Sequence, residues 1–134
     1  MTHPNLDIIQ RFFEAYSKRD MAALAKVTTD DVSWHFPGRN PMSGVKRGRE
    51  EVVAFFDRMG GMGFRPEKLI TGANDDHVVE TQWVHGDRDG AEVVMGWTVL
   101  WSFEDGKLAS GRHFSADQYL ADEFFEGKLA SQRS

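Results

Sequence analysis

The stretch EVVMGWTVLWSFEDGKLASGRHFSADQY, from Glu92 to Tyr119, decides the fold, because it holds two strands, the turn between them and most of the candidate chemistry. Val93, Met95, Trp97, Val99, Trp101 and Phe103 recur at every second position, and a period of two places them all on one face of a strand. Glu104-Asp105-Gly106-Lys107 follows, and its Asp-Gly pair is a strong hairpin signal. On the returning strand Ala109, Gly111, His113 and Ser115 share one face, while Leu108, Ser110, Arg112 and Phe114 share the other. A histidine is thereby set beside a wall of aromatics, with the small Ala109 and Gly111 leaving room next to it.

Upstream of this hairpin the pattern is also strand after strand. Arg65 to Gly72 and His77 to His85 are separated by Asn74-Asp75-Asp76, and Gly86-Asp87-Arg88-Asp89-Gly90 leads into Ala91 to Phe103. Such hairpins imply an antiparallel sheet. Before the strands come helices. Asn5 reads as an N-cap, with Asp7 in the first turn where negative charge suits the helix dipole, and Leu6, Ile9, Phe13 and Tyr16 form one stripe that Ile8, Phe12 and Ala15 widen. Asp20 caps a short helix from Met21 to Val27, and Val32 to Phe36 reads as a strand with Val32, Trp34 and Phe36 on one face. Arg39 to Gly48, with Pro41, Gly44 and Gly48, has no periodicity and reads as a long loop of the kind that often edges a site. Arg49 to Met59 returns to helical spacing, and Asp122 to Ala130 reads as a C-terminal helix beyond which Ser131 to Ser134 fray. Helices, one strand, a helix and a strand meander describe an α+β domain, helices packed on one side of a curved sheet.

The bulk properties narrow the function. A chain of 134 residues, 40% hydrophobic, suits one domain with one core. A net charge of -5 argues against nucleic acid as a partner, since phosphate binding needs a clustered basic surface. The short basic run Lys46-Arg47-Gly48-Arg49, followed by Glu50-Glu51, reads as a solvated loop rather than an anion site. Without cysteine there is no disulfide and no thiolate chemistry, and nothing resembles an export signal or a membrane span, so a cytoplasmic protein is the expectation. Gly60-Gly61-Met62-Gly63 follows a helix, whereas a dinucleotide loop precedes one, and His3, His35, His77, His85 and His113 lie on separate elements without metal-ligand spacing. No cofactor and no metal are expected. No Gly-x-Ser-x-Gly elbow offers a nucleophile.

What remains is an apolar surface with few polar points. Trp34, Trp83, Trp97 and Trp101 line a pocket or fill a core. His113 is either a hydrogen-bonded core residue or a general acid or base, the side chain most easily poised near neutral pH.

Taken together, Tyr16-Ser17-Lys18-Arg19-Asp20, Asp30-Asp31-Val32-Ser33-Trp34-His35-Phe36-Pro37-Gly38, Gly48 to Phe56, Asp105-Gly106-Lys107-Leu108, Asp117-Gln118-Tyr119 and Asp122-Glu123-Phe124-Phe125 resemble the SnoaL-like branch of the nuclear transport factor 2-like superfamily. The resemblance implies a cone: a curved antiparallel sheet wrapped around N-terminal helices, with an internal pocket at the wide end and often a dimer across the outer sheet face. It says little about activity, because one fold hosts many functions. Ketosteroid isomerases place an aspartate base where this sequence has Phe36, and their oxyanion-hole tyrosine and protonated aspartate fall on Phe12 and Val99. Tyr16, one turn after Phe12, replaces that phenol only in part. The arginine and the two aspartates of limonene epoxide hydrolases fall on Thr81, Trp83 and His113. The resemblance thus implies cavity-facing Phe12, Trp34, Phe36, Thr81, Trp83, Trp97, Val99 and Trp101, with His113 as acid or base and Tyr16 as a hydrogen-bond donor. The function it implies is binding of a hydrophobic small molecule, with cofactor-free cyclase- or isomerase-type proton transfer. A non-catalytic binding or dimeric interaction module and a filled core are the alternatives. Val94, Thr98 and Leu100 on the reverse strand face suit a homodimer contact.

Overall fold

A computed structural model of the protein describes residues 3–133. Helix α1 (Pro4–Ser17) starts with proline in its first turn, and the cap is His3, whose Nδ1 accepts from the Asn5 backbone N–H at 3.1 Å. Asn5, the expected cap, is instead buried and donates from Nδ2 to the carbonyls of Asn74 and Asp75 at 2.9 and 3.1 Å, tying α1 to the turn of a distant hairpin. Helix α2 (Met21–Val27) is capped by Asp20, as its sequence implies, through a 3.0 Å bond from the Ala23 N–H. Strand β1 (Thr28–Phe36) begins four residues earlier than expected and turns Val32, Trp34 and Phe36 into the core. The expected loop contains a short strand, β2 (Gly44–Arg47), paired antiparallel with β1. Its four residues are too few to show a period. Helix α3 (Gly48–Gly60) buries Val52, Phe55 and Met59.

Strands β3 (Arg65–Ala73), β4 (His77–Arg88), β5 (Ala91–Glu104) and β6 (Lys107–Ser115) form the meander. The β5–β6 turn has Asp105 at φ 50° and Gly106 at φ 74°, the left-handed pair that a two-residue hairpin needs. The six strands run in the order β2-β1-β6-β5-β4-β3, all antiparallel except that β1 and β6 are parallel. Met95, Trp97, Val99, Trp101 and Phe103 are all buried, so β5 keeps its period of two along the inner face. On β6 the period breaks. Ser102 pairs with Ser110 and Phe103 with Leu108, so Ala109 is an extra residue, and this bulge turns Leu108 inward beside Gly111 and His113. Helix α4 (Gln118–Arg133) is longer at both ends than expected, and position 134 lies outside the described residues. Its Phe125 stacks on Trp97 with centroids 6.1 Å apart and meets the edge of Phe36 at 5.2 Å. The sheet therefore curls around the helices, with α1 and α3 on its inner side and α4 packed at one end.

Candidate active site: an aromatic pocket

Along β4 the side chains of Val78, Glu80, Gln82 and Val84 follow the inner phase, and across the sheet Glu80 pairs with Val99, which in turn pairs with His113. These inner faces and the helices leave a cavity of about 430 Å³. Its floor is Trp34, Phe55, Trp97, Val99 and His113, and Trp101, Phe56 and Phe64 add further rings to the walls. The mouth lies between Phe13 and Tyr16 of α1, Met59 and Gly60 at the end of α3, and Pro66, Lys68 and Gln82 of β3 and β4. The volume falls in the range of small-molecule sites, and the lining is apolar with a few convergent polar groups. None of the residues from Arg39 to Ser43 lines it. That loop is tied to α4 instead, where Asp122 Oδ1 accepts from the Arg39 N–H at 3.0 Å and from Asn40 Nδ2 at 2.8 Å.

His113 faces the cavity, ringed by Phe36, Trp97, Trp34 and Phe55 with centroids at 5.0, 5.3, 5.6 and 6.0 Å. Its Nδ1 is sealed off without a hydrogen-bond partner. Burial pushes its pKa down to about 3, and the positive charge of Lys46 and then the His35 imidazole push the same way. The ring is therefore neutral across the physiological range, not poised near pH 7 as an exposed imidazole is. A buried orphan N–H costs more than an orphan lone pair, so we assign the ring proton to Nε2, which makes His113 a hydrogen-bond donor to the cavity. Gly111 does not leave room beside it. A Cβ there would lie 2.0 Å from the Trp34 ring, so the vacancy is filled by indole.

The other expected site residues divide by face. Trp34, Trp97, Val99 and Trp101 line the cavity, and Tyr16 contributes its ring at the mouth. The Tyr16 hydroxyl donates to Asp57 Oδ1 at 2.7 Å, Arg19 closes on the same carboxylate at 2.6 Å, and its guanidinium lies 4.9 Å over the phenol ring. Burial raises the Tyr16 pKa and the bond to Asp57 adds to it, so this proton is already committed. Phe12 and Phe36 are buried behind the wall, Phe12 edge-on to Trp101 at 6.2 Å. Thr81 and Trp83 need correcting, because they point out of the opposite sheet face. Thr81 Oγ1 lies 3.2 Å from Thr98 Oγ1, and Trp83 is 45% exposed and packs across Gly96. Pairing with β5 puts Val78 and Val84 in the core and Thr81 and Trp83 outside, and one residue of register moves every side chain to the other face.

Sequence reading missed Glu80. Only 9% exposed, it accepts from Trp101 Nε1 at 2.8 Å through Oε1 and pairs with Lys68 Nζ at 3.2 Å through Oε2. The signal was its place in phase with Val78 and Val84. Among the described residues no group of three or more His, Asp or Glu side chains is arranged to hold a metal, and no helix is long and apolar enough to cross a membrane.

Comparison with known proteins agrees with this architecture. Bal32a, from a soil-derived mobile gene cassette, superposes with a TM-score of 0.74 at 30% identity over 91% of this chain and 96% of its own. An uncharacterized protein of Mycobacterium tuberculosis is 25% identical over 126 residues, 90% of this chain and 95% of that one. A putative SnoaL-like polyketide cyclase from Jannaschia shares the fold, with a TM-score of 0.66 at 18% identity over 92% of each chain. The SnoaL-like domain itself matches residues 9–111, and the chain belongs to that family.

Proposed function

We propose that this protein encloses a hydrophobic, aromatic small molecule in the cone pocket and acts on it, where it acts, by cofactor-free proton transfer of the cyclase or isomerase type. The observation that carries the reading is one imidazole set among aromatic rings at the floor of a mostly apolar cavity. With its low proton affinity, His113 serves best as a neutral donor: Nε2–H meets a ligand carbonyl and stabilises the negative charge that reaches that oxygen when a position conjugated with it gives its proton to Oε2 of Glu80, the carboxylate of the lining. Such a donor is strongest where water is excluded. The putative polyketide cyclase among the structural relatives is compatible with this chemistry and shares only the fold.

Benzophenone, an aromatic ketone with no other polar group, tests the pocket. It is expected to bind the wild type and to lose about tenfold or more in affinity to a Val99→Trp variant that fills the cavity. Equal binding to both would move the ligand elsewhere. For a ligand that is turned over, His113→Asn should abolish turnover and retain binding, and unchanged turnover removes His113 from the reaction. A non-catalytic binding module is the second reading. It is favoured by the titratable groups lining the pocket being already committed: Tyr16 to Asp57, Glu80 to Lys68 and Trp101, His113 neutral.

The outer sheet face supports a homodimer. Leu69, Val79, Trp83, Val94 and Phe114 are each at least 38% exposed there, on four neighbouring strands, with Thr81 and Thr98 between them. A second copy of this chain, presenting the same apolar strip, is the partner we assign to it.

A further inference from the structure

Of the polar side chains that line the cavity, Glu80 and His113 sit in one row of the sheet. Glu80 pairs with Val99 and Val99 with His113, so the carboxylate and the imidazole rise from the same sheet face on either side of an aliphatic residue. Two strand spacings separate their Cα atoms by about 10 Å. Glu80 is held in place. Its Oε1 is occupied by the Trp101 indole N–H, which turns Oε2 toward Lys68. Lys68, with 65% of its side chain exposed, sits at the cavity mouth, where its ammonium is free to move aside into water, whereas the Glu80 side chain is 12% exposed and cannot.

The two ends ask for opposite things. A carboxylate only accepts hydrogen bonds, and a neutral imidazole with its proton on Nε2 donates one. Resting on the pocket reading above, we propose that Glu80 is the specificity-determining residue of this site and that the ligand is an aromatic ketone carrying a phenolic hydroxyl at its far end. The hydroxyl donates to Glu80 Oε2 in place of Lys68, the carbonyl accepts from His113, and the ring between them lies over Val99 among the tryptophans. A guest that reaches the carboxylate and pushes Lys68 aside leaves Oε2 without a partner unless it brings a donor of its own, so at that end hydrocarbon is selected against and a hydroxyl favoured.

The test compares para-hydroxybenzophenone with para-methoxybenzophenone, its methyl ether, by isothermal titration calorimetry. The wild type should prefer the phenol by about tenfold or more, the worth of a hydrogen bond to a charged acceptor. In Glu80→Gln the amide oxygen stays with the Trp101 N–H and the amide nitrogen, a donor, faces the ligand. The preference should then fall to within about threefold while the ether keeps its wild-type affinity, which also reports an intact pocket. Lys68→Met changes an exposed side chain and frees Oε2, so its preference for the phenol should equal or exceed that of the wild type. Should Glu80→Gln fail to fold, a preference erased by Lys68→Met would overturn the proposal by assigning recognition to the lysine, and a preserved one supports it. Both probes binding, with the same ratio in wild type and Glu80→Gln, sinks the proposal and leaves the pocket. Neither probe binding the wild type sinks the pocket reading and the proposal with it.

Discussion

A proton on His113 would have to sit among four aromatic rings with no anion facing it, and that cost is what the folded state avoids by holding the pKa at about 3. In the unfolded chain the same group titrates near its ordinary value of about 6.5. Above that pH both states are neutral and His113 adds no pH dependence. Below it the unfolded state binds a proton that the folded state refuses, so stability falls as pH falls, by about 1.4 kcal/mol per unit down to the folded pKa. Between pH 7 and pH 5 this amounts to about 2 kcal/mol. Urea denaturation of the wild type and of His113→Phe at both pH values should therefore show a wild-type loss larger by about that amount. Parallel losses would mean that the imidazole is hydrated or charged in the fold. The position of His113 was legible in the sequence from the strand period alone. Its proton affinity was not, because the rings that desolvate it come from β1, α3 and β5, far apart in the chain. Glu80 was missed for a related reason: a lone charge on a strand reads as solvent-facing, and its inward position is satisfied by Trp101 and Lys68 on the two flanking strands.

At the scale of elements, what the sequence showed and what it hid follow the strength of the pattern. The inner face of β5 alternates without a break through Phe103, and it was legible as a wall. Strand β4 has apolar residues in both phases, Val78 and Val84 inward, Val79 and Trp83 outward, so its parity depends on pairing with β5 rather than on its own composition. The bulge at Ala109 likewise leaves no mark in the sequence. Between β1 and β6 the fit is closest at Gly111, opposite Trp34 in the parallel ladder, where the indole lies directly against the glycine backbone. A methyl group at that point has no space, and Trp34 is fully buried with Phe56 and Trp101 each 4.9 Å from its ring, so it cannot retreat. Gly111→Ala should accordingly cost about 1–3 kcal/mol or more in urea denaturation, by overpacking. It should also alter the pocket floor, weakening benzophenone binding. Wild-type stability in this variant would show that Trp34 has a second place to go.

For the whole molecule the two faces of one sheet differ in character, and the strands that build the pocket on one side build the apolar strip on the other. A strip in which Trp83 is 45% and Phe114 49% exposed is unusual for a surface left to water, where large apolar patches mark contacts. Standard stable interfaces bury about 800 Å² per partner around a few aromatic anchors, and Trp83 and Phe114, on β4 and β6 either side of β5, are placed to be those anchors. Gly96, under the Trp83 ring, lets the indole lie flat against the sheet rather than stand away from it. In sedimentation velocity at micromolar concentration the wild type should run as a dimer, and Trp83→Lys combined with Phe114→Lys should run as a monomer. The Trp83 emission should shift to the red at the same time in a Phe114→Lys single variant, where the interface opens but the indole stays. A wild type that is monomeric, or a double variant that remains dimeric, removes this face from assembly. Because the anchors project away from the cavity, the double variant should still bind benzophenone within about twofold of the wild type, a difference of under 0.5 kcal/mol. Loss of binding on dissociation would instead mean that pairing through the outer face sets the curvature of the sheet, and with it the spacing between Glu80 and His113.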